Sequence, residues 1–308
     1  MGDTALVFAG QGAQFVGMGK DLAEEYGDCR KIFEKADEVL GYSLSGICFE
    51  GPEEDLTRSD RCQPAVFVTG MACRKALEIR SSGLNCSVMG GLSLGEWSAL
   101  HAAGALSYED TLRVLEARGR SMQEACEERK GGMVSVIGLS REKLEDICSV
   151  SGVEIANLNS ASQTVLSGEI DGIKEAEKRA VEAGAKRAIV LKVAGAFHSS
   201  LMNSAAERLD EMLGGVEMKK PELPVVSNVT GEAHGGPDEI RKNMVKQVNS
   251  SVRWLSCVEW MKGSGVSEYI ELGPGKALSG LIKRIDGDAV VKNVQDVESL
   301  KKTAGASD

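Results

Sequence analysis

The stretch Asn85-Cys-Ser-Val-Met-Gly-Gly-Leu-Ser-Leu-Gly-Glu96 joins a short strand pattern, Asn85 to Met89, to a helical one, Leu94 to Ala103. Between them lies Gly91-Leu92-Ser93-Leu94-Gly95, the Gly-x-Ser-x-Gly of a nucleophile elbow. Its glycines permit a strained turn that lifts the Ser93 hydroxyl off a strand end and onto a helix N-terminus. The pattern alone is weak, because a chain with 36 glycines can produce it by chance, and a structural turn is the alternative. A strand before it and a helix after it are the context that an elbow requires.

Outward from the elbow, strand and helix patterns alternate, which predicts an α/β fold with a parallel sheet. Thr4 to Phe8 is a buried-strand pattern running into Gly10-Gln11-Gly12. A dinucleotide reading of those glycines fails, because the third glycine would fall at Phe15. The better reading is a turn whose N–H groups face the top of the sheet, able to serve as one half of an oxyanion hole beside the N–H of Leu94. On the other side, Ser107 and Asp110 start a helix that runs to about Arg129. Leu112, Leu115, Met122, Ala125 and Cys126 form its apolar stripe. Arg118 sits roughly 60° from the centre of that stripe, so its guanidinium points inward. It either binds a substrate carboxylate or closes an internal salt bridge.

Beyond Gly131-Gly132 comes a self-contained run. Met133–Leu139 reads as strand, Arg141–Cys148 as helix, Val153–Leu158 and Gln163–Ser167 as strands, Ile170–Ala183 as helix and Arg187–Val193 as strand. The order β-α-β-β-α-β is ferredoxin-like. It predicts a small domain, 130–194, inserted into a hydrolase-like large domain formed by 1–129 and 195–308. After it, Ala194 to Leu201 is a strand-to-helix junction. Then come a strand near Val225 to Val229, helices around Ile240 to Lys262, a strand Glu268 to Leu272 and the structural turn Gly273-Pro-Gly275. A helix Ala277 to Ile285, a strand Ala289 to Val294 and a frayed tail from Lys301 complete the pattern.

Composition narrows the function. Lys and Arg number 36 against 46 Asp and Glu, a formal charge of −10, which argues against nucleic acid as a partner. A hydrophobic content of 42% with 27% charged residues is that of a folded globular chain. No run approaches the roughly 20 apolar residues of a membrane helix, and the start lacks the pattern of a secretory signal. Eight cysteines without a Cys-x-x-Cys pair suggest neither zinc nor disulfides, and read as buried apolar residues in the cytoplasm. Histidine is scarce, with three in the chain. His101 lies about two helical turns past Ser93, which places it out of reach. His234, in Thr230-Gly-Glu-Ala-His-Gly-Gly236, reads as exposed loop. His198, at the junction after Phe197, is the preferred general base.

Six blocks in register carry a resemblance. They are Gly10-Gln-Gly-Ala-Gln14, Gly91-Leu-Ser-Leu-Gly-Glu96, Arg118-Gly-Arg-Ser-Met-Gln123, Ala196-Phe-His198, Gln247 followed by Val252-Arg-Trp254, and Glu271-Leu-Gly-Pro-Gly275. Together they resemble the malonyl-CoA:acyl carrier protein transacylase family, acyltransferases of fatty acid and polyketide synthesis. The resemblance implies malonyl transfer from malonyl-CoA to the phosphopantetheine thiol of acyl carrier protein, supplying fatty acid synthesis. No metal or permanently bound cofactor is implied, and coenzyme A enters as the thioester substrate. It implies Ser93 as nucleophile, His198 as general base and acid, Arg118 as the malonyl carboxylate's partner, and N–H groups of Gln11 and Leu94 as the oxyanion hole. The main-chain carbonyl of Gln247 would orient the imidazole, Gln63 would line the pocket, and Phe197 would exclude an α-methyl group. Two positions depart from the family pattern: Leu92 where a histidine is usual, and Ser250-Ser251 where Asn-Pro is common. A serine hydrolase such as a thioesterase, or a non-catalytic carrier-binding protein, is the competing reading. Docking an acidic carrier onto an acidic protein requires a local basic patch, for which Lys186, Arg187, Lys192, Lys276, Lys283 and Arg284 are candidates.

Overall fold

A computed structural model of the chain describes residues 3–81 and 85–305. Its strands in chain order are β1 Asp3–Phe8, β2 Val88–Gly91, β3 Gly131–Ile137, β4 Glu154–Ser160, β5 Gln163–Glu169, β6 Arg187–Val190, β7 Val266–Leu272 and β8 Val290–Val294. They form two four-stranded sheets, ordered β2-β1-β7-β8 and β4-β5-β3-β6. The first is parallel throughout and the second antiparallel.

In the parallel sheet β1 lies between β2 and β7, so successive connections leave it in opposite directions. Such a reversal opens a crevice at the carboxyl ends of the strands, where ligands bind in open α/β sheets. Ala5 to Phe8 are all buried, as expected for a strand covered on both faces. The helices Ser59–Arg80 and Leu94–Ala102 help to cover the sheet, and both are buried over most of their length. The helix Tyr108–Glu128 packs along Ser59–Arg80, and its Ser107 cap accepts from the Asp110 N–H at 3.0 Å.

The order β4-β5-β3-β6, with the helices Arg141–Ser151 and Ile170–Glu182 between strands, is that of a ferredoxin-like unit. Its own core gathers Val134, Val136, Leu144, Ile147, Leu166 and Ile173. It touches the rest of the chain beside the site, where Val252 donates to Ala156 O and Leu158 donates to Val252 O, at 2.8 and 2.9 Å.

Four expectations are corrected. The strand expected from Asn85 is β2, which starts at Val88, and β6 ends at Val190, so Leu191 to Val193 is irregular. The strand expected near Val225–Val229 reduces to single bridges, Met89 with Val225 and Val226 with Ala233. Lys301 to Ala304 belong to a helix, Val297–Ala304, started by a capping box at Asp296 and Ser299, while 306–308 lie outside the described residues.

Candidate active site

Ser93 follows β2 and is the N-cap of the helix Leu94–Ala102, with φ 55° and ψ −103°. A left-handed φ on a non-glycine residue stores strain, and the surroundings hold it there. A Cβ on Gly91 would lie 2.1 Å from the carbonyl carbon of Gly95, and one on Gly95 would lie 2.2 Å from Phe8 O. Only glycine lets the turn pack this closely on β1. Asn228 holds the turn from the other side: its Oδ1 accepts from the Ser93 N–H at 2.7 Å, and its Nδ2 donates to Gly91 O at 2.9 Å. The Leu94 N–H opens the helix, so no carbonyl four residues earlier claims it.

Arg118 is 1% exposed. Gly119 lets its helix approach Ser59 closely, since a Cβ there would lie 2.2 Å from Ser59 O. Arg118 Nη1 donates to Gln63 Oε1 at 2.7 Å, and Nη2 donates to Gln247 Oε1 at 2.9 Å and to Ser93 Oγ at 3.0 Å. It forms no salt bridge among the described residues, so the internal ion pair is not what brings it inside. A buried cation whose direct partners are two neutral amides and a hydroxyl can take an anion as a further partner. Burial pulls the guanidinium down to about 10, opposed by Glu96, which leaves it charged at neutral pH.

His198 also has a left-handed backbone, φ 59°. Its Nδ1 lies 2.8 Å from Gln247 O. A carbonyl only accepts, so Nδ1 carries the proton and Nε2 is left with the lone pair that a base needs. Burial and the Arg118 charge pull the imidazole down to about 4, against the opposing Gln247 bond. Ser93 and His198 share no direct hydrogen bond among the described residues; the serine hydroxyl is held by Arg118 instead. Phe197 is buried in the main core.

Gln11 follows β1. Its Nε2 donates to Ser59 Oγ at 3.1 Å, and its Oε1 accepts from Gln63 Nε2 at 3.4 Å. Gln63 therefore joins the turn after β1 to Arg118. A cavity of about 370 Å³ opens beside this turn, lined among others by Gln11, Leu92, Asn159, Gln163 and Arg284. Leu92 thus faces the cavity where the family pattern has histidine. At the second departure, Ser251 Oγ donates to Ile155 O, which ties the segment after Gln247 to β4. Among the described residues no group of three or more His, Cys, Asp or Glu could hold a metal ion, and no helix is long and apolar enough to cross a membrane.

His101 packs against Phe67 and Tyr108, with Nδ1 3.0 Å from Leu106 O. The expectation for His234 is overturned. It is buried, with Nε2 2.6 Å from Glu96 Oε1. Its glycine-rich surroundings misled, because the loop folds inward and pairs Val226 with Ala233. On the sequence alone Asn228 has no place in the site, and Glu96 enters it only as the last residue of a motif. Glu96, three residues after the elbow serine and so one turn along the same helix, was the available signal.

Fold and site together define an α/β protein with a serine elbow, a nearby imidazole and a buried cation. Residues 5–284 match the model of the acyl transferase domain family, and the chain belongs to that family. It is 39% identical over 306 residues to malonyl CoA-acyl carrier protein transacylase of Bacillus subtilis (strain 168), covering 98% of this chain and 96% of that protein. Among solved structures it resembles malonyl CoA-acyl carrier protein transacylase from Clostridium perfringens, with TM-score 0.94, 40% identity and 98% and 96% of the two chains covered. It also resembles a malonyl-transacylase in complex with its type II PKS acyl-carrier protein, with TM-score 0.95, 37% identity and 98% and 99% covered.

Proposed function

We propose that this protein transfers malonyl from malonyl-CoA to the phosphopantetheine thiol of acyl carrier protein, through a malonyl-serine intermediate. The observation that carries the reading is Arg118: a buried cation without a direct anionic partner among the described residues, 3.0 Å from the elbow hydroxyl. The malonyl carboxylate completes the guanidinium's partners and thereby places its thioester carbonyl over Ser93.

His198 Nε2 takes the proton from Ser93 Oγ as the oxygen attacks the thioester carbon. The negative oxygen that forms points at the N–H groups of Gln11 and Leu94. As it collapses, the carbon–sulfur bond breaks and His198 returns the proton to the departing coenzyme A thiolate. The carrier thiol then attacks the malonyl-serine ester by the same steps in reverse. One thioester replaces another, so no energy source is consumed. The Gln247 carbonyl stands in for the acid of a triad, holding the imidazole and receiving no proton. Phe197 limits bulk at the malonyl α-carbon.

The cavity beside Gln11 and Leu92 accommodates the pantetheine arm common to both substrates, with Arg284 at its lining. Lys186, Arg187, Lys192, Lys276, Lys283 and Arg284 remain the candidate contacts for an acidic carrier. In this reading 130–194 is an inserted small domain on the large domain 1–129 and 195–308. The protein works in the cytoplasm on coenzyme A thioesters, without a resident cofactor or metal, and supplies fatty acid synthesis.

Intact mass spectrometry tests the reading. Malonyl-CoA alone should add one malonyl group to the wild type, and carrier bearing its prosthetic arm should remove it. No adduct, or an adduct lost to water as fast without carrier as with it, overturns the transfer.

A further inference from the structure

The sharpest feature that this mechanism leaves unused is the buried pair Glu96 and His234. Both side chains are fully buried. Beyond His234, Glu96 Oε2 accepts from Gln247 Nε2 at 2.5 Å and from the Asn228 N–H at 3.1 Å. Every partner leads to a reacting group. Asn228 holds the Ser93 N–H, while Gln247 donates from Nε2 to Ser93 O at 3.0 Å, accepts from Arg118 at Oε1 and from His198 at its main-chain carbonyl.

We infer that Glu96 and His234 are positioning residues of the acyl-transfer site, the imidazole holding the carboxylate as the counter-charge that aligns Gln247 between Arg118 and His198. The inference rests on the function proposed above. A guanidinium only donates and a carboxylate only accepts, so the two opposite charges dictate which end of the Gln247 amide faces which. Arg118 is the one lysine or arginine among the buried residues described, and Glu96 is the anion that opposes the burial effect on it. His234 Nδ1 meets no partner among the described residues, so a proton there would be a buried, unsatisfied donor. The proton therefore sits on Nε2, from which His234 donates to Glu96 Oε1, and the other carboxylate oxygen reaches Arg118 through Gln247.

Three variants test this: Glu96→Gln, His234→Phe and His234→Gln, the last keeping an N–H donor. Steady-state rates with malonyl-CoA and acetyl-CoA are the first readout. Glu96→Gln and His234→Phe should lower malonyl kcat/KM about 10- to 100-fold, and lower the slow acetyl rate by less, because acetyl uses the His198 alignment but has no carboxylate for Arg118. His234→Gln should recover most of the loss. Equal losses with both acyl groups, or unchanged malonyl kcat/KM in His234→Phe, would reduce the pair to a structural contact. Nitrogen NMR of the three imidazoles in the wild type is the second readout and requires neither turnover nor a stable variant. It should show the His234 proton on Nε2, and a proton on Nδ1 overturns the inference. If the wild type forms no malonyl-serine, the transacylase reading fails, while the tautomer and the shift of the His198 Nδ1–H signal in His234→Phe still decide the network.

Discussion

Ser93 and His198 are the two non-glycine residues among those described with a left-handed φ, 55° and 59°, yet the chain holds them there by different means. At the elbow the first constraint is steric, and hydrogen bonds from Asn228 and Gln247 are added to it. Gly91 and Gly95 let a strand end, a helix start and β1 crowd together, and the turn follows from that contact. At the His198 junction the constraint is hydrogen bonding. Ser199 Oγ donates to Ala196 O at 2.7 Å and accepts from the Leu201 N–H at 3.3 Å, and Ser200 reaches Glu154 on β4. Gln247 holds the ring. Ser93 is thus set first by close packing around its turn, whereas His198 is set by bonds drawn from three separate segments, and the two regions should fail in different ways.

The largest effects remove the groups themselves. Ser93→Ala should abolish the malonyl adduct by intact mass, and His198→Ala should slow its formation about 10²- to 10⁴-fold. Arg118→Ala should cost malonyl about 10²-fold and reverse the preference toward acetyl-CoA. The same change moves the acid limb of the pH profile. A base works only unprotonated, so kcat/KM falls as pH drops through the His198 pKa, about 4 with Arg118 present. Without that neighbouring cation the pKa rises, and the limb should shift to higher pH for acetyl-CoA. An unmoved limb would show that burial alone sets the imidazole. Next, Gly95→Ala should destabilise the fold by about 1–3 kcal/mol, read from the urea midpoint, because its Cβ meets the backbone of β1. The smallest effect is expected from Ser199→Ala. It should slow turnover about 3-fold with a stability change near 1 kcal/mol, since the Gln247 bond remains. If Ser199→Ala instead unfolds the protein as Gly95→Ala does, the contrast between steric and bonded strain is wrong.

This contrast also decides what could be read from the chain. Steric constraints leave residue signatures: Gly91 and Gly95 around Ser93 gave the elbow, and periodicity gave the inward Arg118 and the β-α-β-β-α-β order. Constraints made by distant hydrogen bonds leave none. The Gln247 role came from the family pattern, and Glu96, Asn228 and His234 meet only because segments more than 100 residues apart pack together. His234 shows the cost of local reading, since a loop rich in Gly and Thr resembles surface until its partner is known. The strand expected near Val225 failed for a related reason: beyond its bridges with Met89 and Ala233, the segment turns back on itself, with Ser227 donating to Glu232 O and Gly231 to Ser227 O, and Asn228 turns to the elbow.

The position of β1 at the centre of the parallel sheet has a kinetic consequence. Its first neighbour, β2, follows within 90 residues, but its other neighbour is β7, Val266–Leu272, paired with Asp3–Phe8. The ferredoxin-like sheet closes from local pairings that complete by Val190. During synthesis, domains fold largely as units and long-range parallel pairing comes late. The crevice between β1 and β7 therefore forms only after about nine-tenths of the chain has been made, and Arg118, whose partners Gln63 and Ser93 precede it, waits on the nascent chain for Gln247.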